Sequence, residues 1–131
     1  MFVIRLFRDD EIIESVKGFA QKYGITAGYV SAIGAAGSIT LGFFDKKKKG
    51  YKEKKFDGEF EILSLTGNIG MFDGEPIVHA HMIFGDDSYA VKGGHLISAV
   101  VSVTCEVMIR SLDTIIHREL EEDTNLKLMR L

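Results

Sequence analysis

Ser98-Ala-Val-Val-Ser-Val-Thr-Cys-Glu-Val-Met-Ile-Arg-Ser111 sets Val101, Val103, Cys105, Val107 and Ile109 on one side of an alternating pattern, with Val100 and Met108 on the other. Alternation at period two is the signature of a strand. A strand that is apolar on both sides is buried on both sides. In a chain of 131 residues, that pattern points to a sheet face covered by another subunit.

The segments upstream read the same way. Residues 26–33, 38–44, 52–56, 59–69 and 77–84 each suit extended structure, with Gly34, Gly37, Gly50, Gly70, Gly74, Gly85, Gly93 and Gly94 between them as turn signals. Residues 45–50, Asp-Lys-Lys-Lys-Lys-Gly, read as a hairpin tip. Nearer the N-terminus, residues 2–8 alternate as a strand, and Asp9 or Asp10 is placed to cap a helix. Ile12, Ile13, Val16, Phe19, Ala20 and Tyr23 then recur at helical spacing until Gly24 stops them. The pattern predicts one main amphipathic helix over about residues 10–23. Residues 117–123 are charged and read as a loop or short helical turn before a last strand at 125–130. A strand, one helix and then many strands define an α+β domain with a mostly antiparallel sheet.

Composition narrows the class. With 46% apolar and 27% charged residues, the chain is expected to fold as one domain over residues 1–131. Cys105 is the single cysteine, so no internal disulfide can form, which fits a reducing, cytoplasmic setting. No apolar run reaches the ~18 residues that a membrane helix needs. A net charge of −3 gives the whole molecule no attraction for phosphate backbones.

The histidines carry the main chemical signal. His79 and His81 lie two apart in Pro76-Ile-Val-His-Ala-His-Met-Ile-Phe84, so on a strand they share a face with Cα atoms ~6.5–7 Å apart. Two imidazoles at that spacing can close on one divalent ion with bonds of ~2.0–2.1 Å. Gly93-Gly94-His95 follows a turn, and a hairpin would return His95 beside the first two. Three nitrogen donors with an open fourth position are the pattern of an exchangeable or reactive zinc site. The same spacing also suits a solvated strand face. His117, among Arg118, Glu119, Glu121 and Glu122, reads as surface.

Glu106 and Asp86 are the carboxylates that could serve such a site, as a partner for an imidazole or as an acid–base group. Against this, Glu106 suits an ion pair at a strand edge and Asp86, with Asp87, a loop. Cys105 reads as a buried thiol. Gly34-Ala-Ala-Gly37 lacks the register of a dinucleotide fingerprint and reads as a tight passage between strands. Residues 46–49 with Lys52, Lys54 and Lys55 could touch phosphates, but such a tip more often blunts a sheet edge.

Five motifs in order carry a family resemblance: Gly58-Glu-Phe-Glu-Ile-Leu-Ser-Leu-Thr-Gly-Asn68, Pro76-Ile-Val-His-Ala-His81, Phe84-Gly-Asp86, Gly93-Gly-His-Leu96 and Thr104-Cys-Glu-Val107. Together they resemble the plant-and-prokaryote-conserved (PPC) domain over nearly the whole chain. The resemblance implies a homotrimer and a metal held by His79, His81 and His95. In the plant proteins the domain follows an AT-hook, and the stretch matching Gly58, Glu59, Phe60, Glu61, Ile62 and Leu63 is implicated in binding partner transcription factors. The second of those positions is usually Arg there and is Glu59 here, a reversed charge. No Arg-Gly-Arg-Pro hook occurs in the chain, although prokaryotic members often carry a DNA-binding label. The expected function is therefore a trimeric, zinc-binding module with a regulatory or DNA-associated role and a small-molecule or protein partner. The alternatives are a metal-dependent enzyme acting on a small molecule, with Glu106 or Asp86 assisting a metal-activated water, and a structural trimer whose histidines serve packing alone.

Overall fold

The computed structural model describes residues 1–130. Elements follow in the order β1 (Phe2–Phe7), α1 (Ile12–Lys22), β2 (Gly28–Asp45), β3 (Gly50–Phe72), β4 (Glu75–Gly85), β5 (Val91–Ser111), β6 (His117–Glu121) and β7 (Leu126–Arg130). One helix on an antiparallel sheet is the expected α+β class. The four long strands close in a ring, because β2 pairs with β3, β3 with β4, β4 with β5, and β5 with β2, all antiparallel. β1 extends the ring at the far end of β5, and the β6–β7 hairpin is attached to β3 by a parallel bridge from Met71 to His117.

The strands are longer than the glycine punctuation predicts. Residues 26–33 and 38–44 fuse into β2, and 52–56 and 59–69 fuse into β3. Gly34 and Gly37 do not end a strand; they lie where the β2–β3 register slips, between Ala32 and Gly34 and between Ala36 and Ser38. A Cβ at Gly34 would lie 2.3 Å from the Thr104 carbonyl oxygen, so glycine there lets β2 and β5 approach while the strand bends. Gly93 and Gly94 likewise lie inside β5. Residues 117–123, read as loop or helical turn, instead supply β6: a hairpin needs only one buried face, so charge on the other does not oppose it.

Inside the ring the core forms from alternate positions. Val30 and Ala32 of β2, Leu65 and Ile69 of β3, Ala80, Met82 and Phe84 of β4, and Cys105, Val107 and Ile109 of β5 are buried together. Phe84 receives the rings of Phe56 and Phe60 edge-on at centroid distances of 5.3 and 4.9 Å. Burial of each such large side chain contributes about 1.5–3 kcal/mol. Val103 departs from the alternation and is 59% exposed. The β2–β5 register jumps from Ala36↔Val101 to Gly34↔Cys105, which leaves residues 102–104 outside that ladder and turns Val103 outward.

The helix seals the core with Ile12, Val16 and Ala20. Its N-cap is Glu11 rather than Asp9 or Asp10. The Glu11 carboxylate accepts from the Glu14 N–H at 2.6 Å and from the Ala99 N–H at 2.9 Å, so one side chain starts the helix and ties it to β5. Asp9 turns the chain at φ 72°, and Asp10 accepts from the Phe7 N–H at 2.8 Å, which occupies both in the preceding turn. The helix ends as expected, with Gly24 at φ 63° and the Ile25 N–H donating to the Ala20 carbonyl. No helix among the described residues is long and apolar enough to cross a membrane.

Candidate metal centre

β4 alternates between the core and the outer surface of the ring. Ala80 and Met82 point inward and are buried, which sends His79 and His81 outward together. β5 returns antiparallel, with His95 directly opposite His81. The three rings form a near-equilateral triangle, with centroid separations of 5.3 Å (79–81), 5.1 Å (79–95) and 5.4 Å (81–95). One nitrogen from each can be chosen so that all lie within 4.8 Å of one another. A tetrahedral ion with bonds of ~2.0–2.1 Å requires nitrogens about 3.3 Å apart. The donors are thus about 1.5 Å or less from a closed site, a gap that small ring rotations cover.

The donor chemistry also fits. Burial, with the Arg118 and His81 charges adding to it, holds the His79 pKa below its usual value. Burial beside His79 and His81 lowers His95 to about 4. Both rings are therefore neutral at pH 7, with a lone pair to offer.

Tyr51 supports His95. Its ring stacks on the imidazole at 4.4 Å and 22°, and its Oη lies 3.4 Å from Nδ1. Burial raises the Tyr51 pKa, keeping it a phenol. If Nδ1 carries the proton it faces Tyr51 Oη and leaves Nε2 as the ligand atom, the way outer hydrogen bonds fix a liganding tautomer. Gly42, paired with His95, makes room: a Cβ there would lie 2.7 Å from Tyr51 Cδ1.

Beside the histidines lies a cavity of about 300 Å³, open on one side, lined by Tyr51, His79, His95 and Arg118 and walled further by Ile77 and the β7 residues Leu126 and Leu128. Arg118 is 8% exposed. Its Nη1 donates to the Lys127 carbonyl at 2.9 Å and its Nη2 to Asn68 Oδ1. Nothing in the sequence alone singles out Arg118 or Tyr51. Arg118 lay in a charged segment and Tyr51 beside a lysine-rich tip, and only the tertiary pairing brings either to the histidines.

The carboxylates expected here are elsewhere. Asp86 is spent in the β4–β5 turn, accepting from the Ser88 N–H and hydroxyl, the Ala90 N–H and the Lys92 ammonium. Glu106 faces Arg5 on β1 and Ile33 on β2, in a shallow hollow with Tyr29 and Met108. Neither lines the histidine cavity. Residues 58–63 lie within β3, where Glu59, Glu61 and Leu63 are exposed, Phe60 is half-buried and Ile62 is buried. His117 is exposed, and residues 46–49 form the β2–β3 tip.

The sequence pattern of the Plants and Prokaryotes Conserved (PCC) domain matches residues 1–113. A metal-containing protein from Archaeoglobus fulgidus is 38% identical, with a TM-score of 0.92 over 99% of this chain and 92% of its own. A plant- and prokaryote-conserved protein from Pyrococcus horikoshii is 32% identical, with a TM-score of 0.92 over 99% of this chain and 90% of its own. A candidate DNA-binding protein from Bacteroides thetaiotaomicron is 31% identical, with a TM-score of 0.94 over 98% of this chain and 90% of its own. Comparison with curated proteins returns no match.

Proposed function

Because the chain belongs to the Plants and Prokaryotes Conserved domain family, we propose that it is a metal-binding module in which His79, His81 and His95 hold one divalent ion. The observation that carries this reading is the triangle of three imidazoles on adjacent strands, with nitrogens within 4.8 Å of one another. Three neutral nitrogen donors and an open side suit zinc. The name of the Archaeoglobus protein, 38% identical, lends further support. When bound, the ion would supply a Lewis-acidic centre at the edge of the cavity. Tyr51 would orient His95, and the β6–β7 hairpin would limit what reaches the site.

The module is proposed to work as a cytoplasmic homotrimer. Ile33 and Met108 are 57% and 52% exposed, and with Val3, Phe7 and Tyr29 they make an apolar outer surface that a second copy would cover. A DNA-associated role, suggested by the name of the Bacteroides protein, would fall to the lysines of the β2–β3 hairpin, because the chain as a whole is acidic.

Elemental mass spectrometry of untagged protein tests the metal. About one zinc per chain is expected, and no metal after incubation with zinc overturns the reading. Light scattering tests assembly, with three 14.6 kDa chains expected per particle and a monomer at micromolar concentration ruling out the trimer.

A further inference from the structure

We propose that the cavity beside the histidines binds a small organic carboxylate, with Arg118 as the residue that grips it. The inference rests on the metal reading above and names the ligand class of the same site.

The first argument is charge. Arg118 is 8% exposed, yet both of its hydrogen-bond acceptors, the Lys127 carbonyl and the Asn68 amide oxygen, are neutral. Its Nε is buried without any partner. A guanidinium carries five donors in a planar fork, so most of its capacity is unspent. Buried charge without an opposite charge is costly. Among the described residues, no aspartate or glutamate lines this cavity. A divalent ion on three neutral imidazoles would keep its full charge, and Arg118 would add to it. The cavity is therefore built to receive an anion.

The second argument is placement. Asn68, which accepts from Arg118, stands directly opposite His79 in the β3–β4 ladder. Cross-strand neighbours have Cβ atoms ~4.5–5.5 Å apart, so the guanidinium is fixed one residue pair from the imidazoles. Gly70 admits it there, since a Cβ at that position would lie 3.2 Å from Arg118 Nε.

The third argument is shape. About 300 Å³ is the lower end of small-ligand sites, and Ile77, Leu126 and Leu128 offer apolar walls. Those walls suit the hydrocarbon body of an organic acid, whose flat carboxylate matches the guanidinium fork. The wall residues Leu126 and Leu128 and Arg118 itself belong to the β6–β7 hairpin, beyond the residues 1–113 matched by the family pattern.

Isothermal titration calorimetry of the zinc-incubated protein with pyruvate, lactate and butyrate, each against its neutral amide, tests the proposal, with zinc per chain measured on the same samples. At least one acid is expected to bind at least about tenfold tighter than its amide. Arg118→Gln is expected to keep its zinc and lose that preference, while Arg118→Lys retains part of it. Acid and amide binding alike to the wild-type protein, no acid binding at all, or an unchanged preference in a folded Arg118→Gln variant would each overturn the proposal. The wild-type comparison stands even if the variant fails to fold. Absence of zinc would overturn the metal reading separately. The same titrations on that metal-free protein then decide the role of Arg118, since a surviving acid preference upholds it and its absence overturns it.

Discussion

His81 and His95 face each other directly across the β4–β5 ladder, with ring centroids 5.4 Å apart. His79 completes the triangle from the next outward position of β4, so all three imidazoles come from two adjacent strands and no loop has to be ordered. His117 is the internal control, exposed on β6. His81→Ala is expected to weaken zinc binding by more than the ~10–100-fold that a supporting hydrogen bond is worth, because it removes a ligand outright. His117→Ala should leave affinity unchanged. Competition with a chromogenic chelator measures both, and equal affinities in the two variants would refute the assignment.

Tyr51 touches the histidine triangle at His95. Tyr51→Phe keeps the stacked ring and removes the hydroxyl near Nδ1, so zinc affinity should fall by about tenfold, with the fold intact. Gly42→Ala should act on the same ring, since its new methyl would lie 2.7 Å from Tyr51 Cδ1 and push the ring aside. If the outer hydrogen bond is what matters, both variants weaken zinc binding while circular dichroism stays that of the parent. Unchanged affinity in Tyr51→Phe would show that His95 needs no partner.

The histidines are legible in the sequence, whereas Tyr51 and Arg118 are not. His79 and His81 are two apart on a strand, and the alternation of side chains alone puts them on one face. His95 required only that the following segment turn back. Tyr51 is 44 positions from His95 and reaches it because β2 lies between β3 and β5, a topology that no local pattern encodes. Arg118 meets Asn68 across 50 positions, and its segment has the charge of a loop. Its burial comes from the hairpin folding over Gly70. The glycines are ambiguous for a related reason: in a ring of long strands the same residue that ends a strand elsewhere marks a bend or a close approach, and only the neighbouring strand distinguishes the two. Glu106 has the outward aspect that the histidines have, but it lies 11 positions along β5 from His95, opposite Arg5 and Ile33 rather than β4.

Asp86 should make the turn between β4 and β5 sensitive to acid. Hydrogen bonds from the Ser88 hydroxyl first, then from the Ala90 N–H and the Lys92 ammonium, hold its carboxyl at about 2. The unfolded value is ~3.9. Since the folded value is the lower one, the contribution is fully present above pH ~4 and is lost as pH falls through about 2. Urea midpoints of the wild type measured from pH 5 to pH 2 should therefore fall more steeply than those of Asp86→Asn, which has no carboxylate to protonate. Parallel slopes would mean that the ionised Asp86 carboxylate contributes nothing to stability.

Cys105 should resist thiol reagents until the chain unfolds. It is fully buried among Val107, Ile109 and the β2 residues opposite, and burial, helped by the charge of Glu106, pushes its thiol up to about 11. The thiolate is the reactive form, so at pH 8 only about one chain in a thousand would carry it even if the reagent could enter. Two barriers thus act in series, a scarce thiolate and a closed core. A disulfide reagent at pH 8 should label the native protein negligibly over an hour and label it fully in 6 M guanidinium. Raising the pH to 9.5 increases the thiolate fraction without opening the core. If burial is the governing barrier, native labelling stays slow at both pH values and follows unfolding, so a variant with a weakened core, such as Phe84→Ala, destabilised by about 3–5 kcal/mol, should react faster. Labelling that instead rises about thirtyfold with pH in the native protein would locate Cys105 at an accessible surface and contradict its place in the core.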